Sequence, residues 1–480
     1  MKFLPVKTSP NAAIATCGRC RKKMYLSDLR SDPNIPGLRV CRECSDVFDP
    51  YRKAPRQPDD IILKNPRLDE SLALEGYSIP APTLEFNFLS ETLDDRITFT
   101  RNSIASYYDS NGDIQSVAID VPRYDSGAGV LIEPTRTNSL TYSNNYSNAA
   151  WTKSSTTATV STIVAPDGSL MYHIKENSAN STHTLSRSIT TIAGQTYTIS
   201  FFVKSDGSNR YVRIQPGGIS HFSANNHFAS FNINEGTYFT SGVGAINYSI
   251  VDHGDGVYRI SVTAIATTST TAIGSVLFLI TPPSTATYTG DGVSGVYVGN
   301  AQLEVGYGAT SYINTTSSAM TRYADEMYVS GANFSDWFNP LEGTFLLEYE
   351  LGGSDAYHVV LDISDGTTSN RVTTLVNAIP TLLYEQVVIG GTNTVNLYDS
   401  TLPRPSTDIS KLAFTYKEQQ FSASLDGAEL VHRNVAGVPT VNRIDIGRLS
   451  DASQHINGHI RSIKYWDEVL PNDDLLQLSE

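Results

Sequence analysis

Residues 194–204 read Gly194-Gln195-Thr196-Tyr197-Thr198-Ile199-Ser200-Phe201-Phe202-Val203-Lys204. A glycine turn opens the run, and apolar and polar residues then alternate at a period of two, the signature of a half-buried β-strand. Val257-Tyr258-Arg259-Ile260-Ser261-Val262-Thr263-Ala264 repeats the pattern after the turn-rich Asp252-His253-Gly254-Asp255-Gly256. Leu84-Glu85-Phe86-Asn87-Phe88, Arg96-Ile97-Thr98-Phe99-Thr100 and Gly343-Thr344-Phe345-Leu346-Leu347-Glu348-Tyr349-Glu350 read as strands too. The chain of 480 residues carries 26 Tyr and 17 Phe, and no sustained helical period is visible. The expected fold class is mainly β: a small N-terminal module, an extended linker, then two β-sandwich (jelly-roll) domains.

The small module is marked by cysteine. The chain has four, Cys17, Cys20, Cys41 and Cys44, all in its first tenth. Two C-x2-C pairs twenty residues apart have the spacing of a zinc ribbon, because two sulfurs from one tight turn can reach the same ion. Gly18 is expected to relax the first turn. Two disulfides are the alternative, but a disulfide framework would not leave residues 45–480 without a cysteine. Four protein sulfurs leave no open position for a catalytic water, so the expected Zn2+ is structural, and a segment this small needs such a staple to fold.

Charge divides the chain at the same place. Residues 1–56 hold twelve Lys or Arg against five Asp or Glu, formally +7, while the remainder sums to −21. A basic head beside an acidic body points to docking on something negative, nucleic acid or an acidic protein surface, although Arg19, Arg21, Lys22 and Lys23 also suit an ordinary solvated face. Pro50, Pro55, Pro58 and Pro66 then mark a semi-rigid spacer. The expected divisions are 1–48 zinc ribbon, 49–82 proline-rich linker, 83–136 β-hairpin connector, 137–318 first sandwich and 319–480 second sandwich. In the connector, Asn111-Gly112 predicts a type I′ turn. Asp109, Asn111 and Asp113 mimic the start of a calcium loop, but Ile114 stands where that loop needs Gly. No apolar run approaches the roughly eighteen residues of a membrane span. Met1–Pro5 is too short for a secretory leader, so synthesis in a cytoplasm, where free thiolates remain available for zinc, is expected.

Several segments carry family resemblances. Gly295-Val296-Tyr297-Val298, Ala301-Gln302-Leu303-Glu304 and Thr310-Ser311-Tyr312-Ile313, with the strands at 194–204 and 257–264, resemble the jelly-roll carbohydrate-binding modules attached to xylanases; many of those carry Trp where Val257 stands. Residues 320–480 are similar to laminin-G and legume-lectin-like sandwiches. The resemblance lies in Gly343–Glu350, the pair Lys411–Tyr416 and Phe421–Gly427, the closing run Asn457–Trp466, and Leu470-Pro471 with Asp474-Leu475-Leu476, where a short helical turn is expected. The succession Arg96–Thr100, Tyr107–Gln115, Pro122-Arg123-Tyr124-Asp125 and Gly129–Asn138 resembles virion proteins of tailed bacteriophages. That resemblance implies a fibre, spike or decoration on the virion surface, docked to other virion proteins through its head and touching host surface glycans. It also implies a homotrimer, with Phe86, Phe88, Ile97 and Phe99 buried between chains. The competing reading packs them on their own sandwich.

Catalytic patterns are poor. The nine histidines form no H-E-x-x-H, and no G-x-S-x-G or phosphate loop occurs, so no enzyme is expected. Asp94-Asp95 and Asp473-Asp474 suit turns and caps. Aromatic platforms for sugar rings are expected from Tyr172, His173, Tyr211, Trp337, Tyr357 and Trp466, with His221 and His358 beside them, although β proteins also use such residues for packing. The resembled families bring Ca2+ as a further cofactor expectation, with Asp362-Ile363-Ser364-Asp365 and Asp252–Asp255 as candidates. A nucleic-acid-binding zinc protein is the alternative function; the acidic body opposes it, since it would repel phosphate.

Overall fold

The computed structural model describes residues 13–51, 79–125, 127–218, 220–222, 226–282, 285–352, 358–378, 381–399, 409–428, 431–434 and 437–480. They fall into two compact units, Met1–Ser78 and Ile79–Glu480. Most of the proline-rich linker expected at 49–82 lies outside the described residues.

The head is two small hairpins. Ile14–Thr16 pairs with Lys23–Tyr25, and Arg30–Ser31 with Arg39–Val40. Its apolar centre is little more than Cys17, Leu29, Val40 and Cys41. A core of four residues cannot offset the ordering cost of about forty, so a covalent or metal staple has to contribute.

The body is nearly all β and contains two sandwiches. In the middle one, a sheet ordered Trp151–Ser154, Asn180–Thr191, Thr270–Ile280, Tyr211–Gln215, Ala229–Asn232, Thr237–Ser241 faces a second sheet. The second is ordered Thr156–Val164, Leu170–Glu176, Gly295–Val305, Thr196–Ser205, Val257–Ile265, Asn247–Asp252. Tyr197, Ile199, Phe201 and Val203 enter the shared core with Trp151, Ile214, Phe231 and Leu277, but Thr198, Ser200 and Phe202 on the other face are buried as well, so the strand expected to be half-buried is covered on both sides. In the other sandwich, Glu342–Leu351 lies between Ser410–Lys417 and Gly458–Trp466. The opposing sheet runs from Thr392–Asp399 through His358–Ser364 and Arg443–Ile446 to Glu326–Ser330. The expected C-terminal turn is the helix Asn472–Ser479, whose Leu475 covers Leu346, Ala413 and Trp466.

Residues 83–136 do not form a separate connector. Leu84–Asn87 pairs with Ser462–Tyr465, Gly129–Ile132 with Gly458–Ile460, and Thr98–Thr100 with Glu326–Tyr328. The C-terminal sandwich is therefore built from both ends of the body, and the middle sandwich is inserted between them. Arg136–Asn138 pairs with Met320–Arg322 where the chain leaves and returns. The physical reason is apolar burial. Phe86, Phe88, Ile97 and Phe99 are at most 8% exposed inside their own chain's core, and each large side chain so buried stabilises by about 1.5–3 kcal/mol. The intermolecular packing expected of these four residues is thus replaced by packing on their own sandwich. The hairpin Ala105–Tyr108/Ile114–Val117 forms as read, with a different turn. Only Gly112 has positive φ, at 81°. Asp109 Oδ1 accepts the amides of Asn111 and Asp113, so a turn capped by Asp109 replaces the expected type I′ turn.

Beside the two crossing strands lies a buried charge cluster. Asp325 accepts Arg101 Nη1 at 2.9 Å, Arg123 Nη2, and the Glu133 amide at 2.9 Å. Glu133 accepts Arg123 at 2.5 Å, Arg322 at 2.6 Å, and the Ser311 amide and hydroxyl at 2.6 and 2.7 Å. Burial by itself would raise the Glu133 carboxyl, but Arg322, Arg123 and Ser311 hold it well below the usual carboxylate range.

Candidate metal centre and a ring-lined sheet face

Cys17 and Cys20 sit in the turn of the first hairpin, and Cys41 and Cys44 follow the last strand of the second. The four sulfurs lie within 4.8 Å of one another, the only such group of three or more His, Cys, Asp or Glu among the described residues. Cys20 Sγ and Cys41 Sγ are 4.0 Å apart, close to the edge of about 3.8 Å that a tetrahedron with Zn–S near 2.3 Å requires. None of the four is in a disulfide. The turn chemistry differs from expectation: positive φ falls on Arg21, at 58°, and Gly18 serves close approach instead. A Cβ at Gly18 would stand 2.5 Å from Leu38 Cδ1, while its amide reaches Arg39 O at 2.9 Å and ties the two hairpins together.

Electrostatics of the cluster favour a cation. Amides of Cys20 and Cys41 draw the Cys17 thiol down to about 6, whereas the neighbouring Cys41 and Cys20 thiols push the Cys44 thiol up to about 12. One thiolate forms readily and the last resists, because its charge meets like charge; a divalent ion removes that resistance. The buried Asp32 organises the second turn. It accepts the Asn34, Ile35 and Asp46 amides and an ion pair from Arg19 at 2.9 Å. The donor set fits a structural zinc ion held by Cys17, Cys20, Cys41 and Cys44.

The expected sugar-stacking residues are not brought together. Tyr172 is core, its ring edge-on to Tyr146 and its hydroxyl on Asn145. His173, next along the strand, points the other way, bonds Asp206 at 2.9 Å and lies 5.0 Å from the Tyr297 ring. Trp466 is buried and donates to Pro80 O at 2.7 Å. Trp337 is half-buried among Phe334, Phe338 and Tyr465. His221 and His358 are buried on backbone and hydroxyl partners. Tyr357 lies outside the described residues. The calcium candidates do not converge: Asp362 binds Thr373 and Ser450, Asp365 caps the turn at Thr367, and Asp252 caps Gly254.

Tyr211 has company that the sequence reading missed. Val212 and Ile214 enter the core, so Tyr211 and Arg213 project from the outer face of their sheet. Tyr211 meets Phe239 edge-on at 5.4 Å, and Phe239 is 41% exposed. Arg213 lies 4.0 Å over the Phe228 ring and donates to Ser230 Oγ at 3.1 Å. Phe278, opposite Arg213 in the register, is half-buried on the same face. The small buried Thr184, Ser186 and Ser230 keep the floor low. Parity with Val212 and Ile214 was the available signal.

No protein-family model matches the chain, and no curated protein matches its sequence. Among solved structures it is similar to the NanB sialidase of Streptococcus pneumoniae, at 11% identity and TM-score 0.28 over 32% of this chain and 26% of that one. The chain thus spans about a quarter of that sialidase. The CBM40 of the Ruminococcus gnavus IT-sialidase matches at 13% identity and TM-score 0.26, over 29% and 84%. Domains LG4-5 of the mouse laminin alpha1 chain match at 11% and 0.21, over 61% and 86%. The fold assignment rests on the strand pairing above.

Proposed function

We propose that this protein is a non-enzymatic structural adhesin whose body contacts glycans and whose zinc-stapled head attaches it to a larger assembly. The observation that carries the glycan reading is the ring-lined face. Tyr211, Phe239 and Phe278 offer apolar rings to the CH face of a sugar, while Arg213 and the small hydroxyl residues beside it offer polar edges. The finer reading is a tailed-phage virion appendage, a fibre, spike or decoration on the particle surface; its support is the order of phage-like segments in the sequence. Many copies on a particle would turn weak single-site contacts into useful avidity. A threefold assembly enters only through that resemblance, since residues 83–135 are committed to their own sandwich.

The head acts by geometry alone. Zinc bound there supplies folding free energy, and Asp32 with Arg19 orients the second turn around it. Two measurements test the proposal. Tyr211→Ala is expected to reduce glycan-array binding of the full chain without changing its thermal midpoint; unchanged binding refutes the face. Deleting residues 1–60 is expected to leave a folded body that no longer joins the particle. If instead the intact head binds DNA tightly with a steep salt dependence, the nucleic-acid reading replaces attachment.

A further inference from the structure

One cleft in the C-terminal sandwich is unused by the reading above. Three neighbouring antiparallel strands, Glu326–Ser330, Arg443–Ile446 and His358–Ser364, bring two strand ends and one strand start to the same edge. Ser330 and Ser364 both sit opposite Arg443, and the Asn442 amide bonds Ser364 O at 2.8 Å. Gly331 and Gly366, with φ of 63° and 85°, turn the chain away on two sides and open a cleft of about 640 Å³ between them. That volume lies in the range of small-ligand sites, roughly 300–1,000 Å³.

The lining divides by chemistry. Phe334, Phe338, Pro340 and Val441 form an apolar side. It is rigid: Phe338 stacks on Phe334 at 4.5 Å and on Tyr416 at 5.5 Å with only 11° between planes. The polar side is lined by Ser330, Ser335, Asn442, Asp365 and Arg443. Arg443 is committed to Asp445 through Nε at 2.7 Å and Nη2 at 2.6 Å. Asp365 is fixed by Thr367 and Asn370, with further acceptor capacity on its carboxylate. The cleft therefore offers an apolar side of Pro340, Val441 and ring edges, neutral polar residues, and a carboxylate acceptor, with its arginine paired to Asp445 through two of its nitrogens.

We propose that this cleft is a second carbohydrate site, one that takes a neutral pyranose, packed by its CH face against Pro340 and the edge of Phe338 and hydrogen-bonded through its hydroxyls to Asn442, Ser335 and Asp365. A committed arginine and an acceptor carboxylate select hydroxyl donors over acidic sugars. The proposal is independent of the Tyr211 face.

Saturation-transfer NMR on the full chain tests it, with the methyl glycosides of glucose, galactose, mannose and N-acetylglucosamine as probes and N-acetylneuraminic acid as acidic comparator. At least one neutral glycoside is expected to bind. Asn442→Ala should weaken it about tenfold, the equivalent of one lost hydrogen bond. Ser335→Trp, at an exposed position, should block it without unfolding the chain, and Tyr211→Ala should leave it in place. Binding of the acidic sugar alone, no binding, or binding untouched by both cleft variants overturns the proposal. A signal lost only in Tyr211→Ala overturns it while the middle-sandwich reading stands.

Discussion

Asp325→Asn is the substitution that tests most directly how the two sandwiches are joined. Asp325 is fully buried and bonds two guanidinium groups and one amide. The cluster holds Arg101, Arg123 and Arg322 against Asp325 and Glu133. Asparagine keeps one acceptor and nearly the same volume, so packing changes little. What changes is charge: three buried guanidinium groups would then face a single carboxylate. Breaking a buried pair from one side costs about 3–5 kcal/mol, because the remaining charge stays desolvated. That is roughly two to three and a half decades in an unfolding constant.

The assay is denaturant unfolding followed by tryptophan fluorescence. Trp151 sits in the middle sandwich, and Trp337 and Trp466 in the C-terminal one, so the head contributes nothing to the signal. Single-tryptophan variants separate the two reporters. Asp325→Asn is expected to shift the C-terminal transition by the full amount. It should also part that transition from the one at Trp151, because the cluster flanks both crossing strands. A loss below about 0.5 kcal/mol, the scale of ordinary surface substitutions, would show that the cluster is hydrated and does not couple the sandwiches.

Other outcomes follow from the same geometry. Purified protein is expected to carry about one zinc ion per chain, and Cys41→Ser should abolish it and unfold the head while the tryptophan transitions stay put; metal analysis and fluorescence check this. Glu385 is buried with neither carboxylate oxygen bonded, and burial pushes its carboxyl well above the usual range. Its folded state holds a proton that the unfolded state releases near pH 4.3, so stability is full below that pH and falls as pH rises toward the folded value. Glu385→Gln should flatten this slope and stabilise the C-terminal sandwich at pH 8, and a persisting slope would assign it to another group. Phe99→Asp should unfold that sandwich by about 3 kcal/mol or more, and a folded variant with reduced mass in light scattering would restore the intermolecular interface.

What the sequence made legible was local. Each C-x2-C turn places two thiols near one point by local geometry alone, and the Gly18–Arg39 bond between the hairpins brings the two pairs together. Period-two alternation likewise marked Thr196–Lys204, Val257–Ala264 and Gly343–Glu350 as strands, but these central strands are buried on both faces, which alternation did not show. Alternation also said that Phe86, Phe88, Ile97 and Phe99 wanted burial. It could not say against what, since their partners near Ser462 and Met327 lie hundreds of residues away and pairing register leaves no trace in a single strand. The aromatic candidates failed for a related reason. Tyr172 and His173 are adjacent, so at most one could face outward, and parity with Ile174 puts Tyr172 inside. Trp466 escaped parity because the helix Asn472–Ser479 covers a second face of its sheet.

The inserted topology also explains where charge is buried. A sandwich assembled from residues 84–132 and 326–466 cannot close until the whole middle domain has been made, so the two crossing strands must meet across nearly two hundred residues. Hydrophobic contacts alone would let such late-meeting segments slide, because apolar burial is non-directional. Guanidinium–carboxylate pairs with fixed donor geometry do not slide. Arg123 and Glu133 arrive with the first half, Ser311, Arg322 and Asp325 with the second, and the bonds between the two sets, Arg123 to Ser311 and Asp325 and Arg322 to Glu133, close only when both halves stand in register. If that is their role, replacing the five charged residues together by apolar ones of similar volume should preserve stability, as buried ion clusters often permit, yet slow or scatter refolding of the C-terminal sandwich. Unchanged refolding kinetics and a single native state would remove the registration argument and leave the cluster as packing alone.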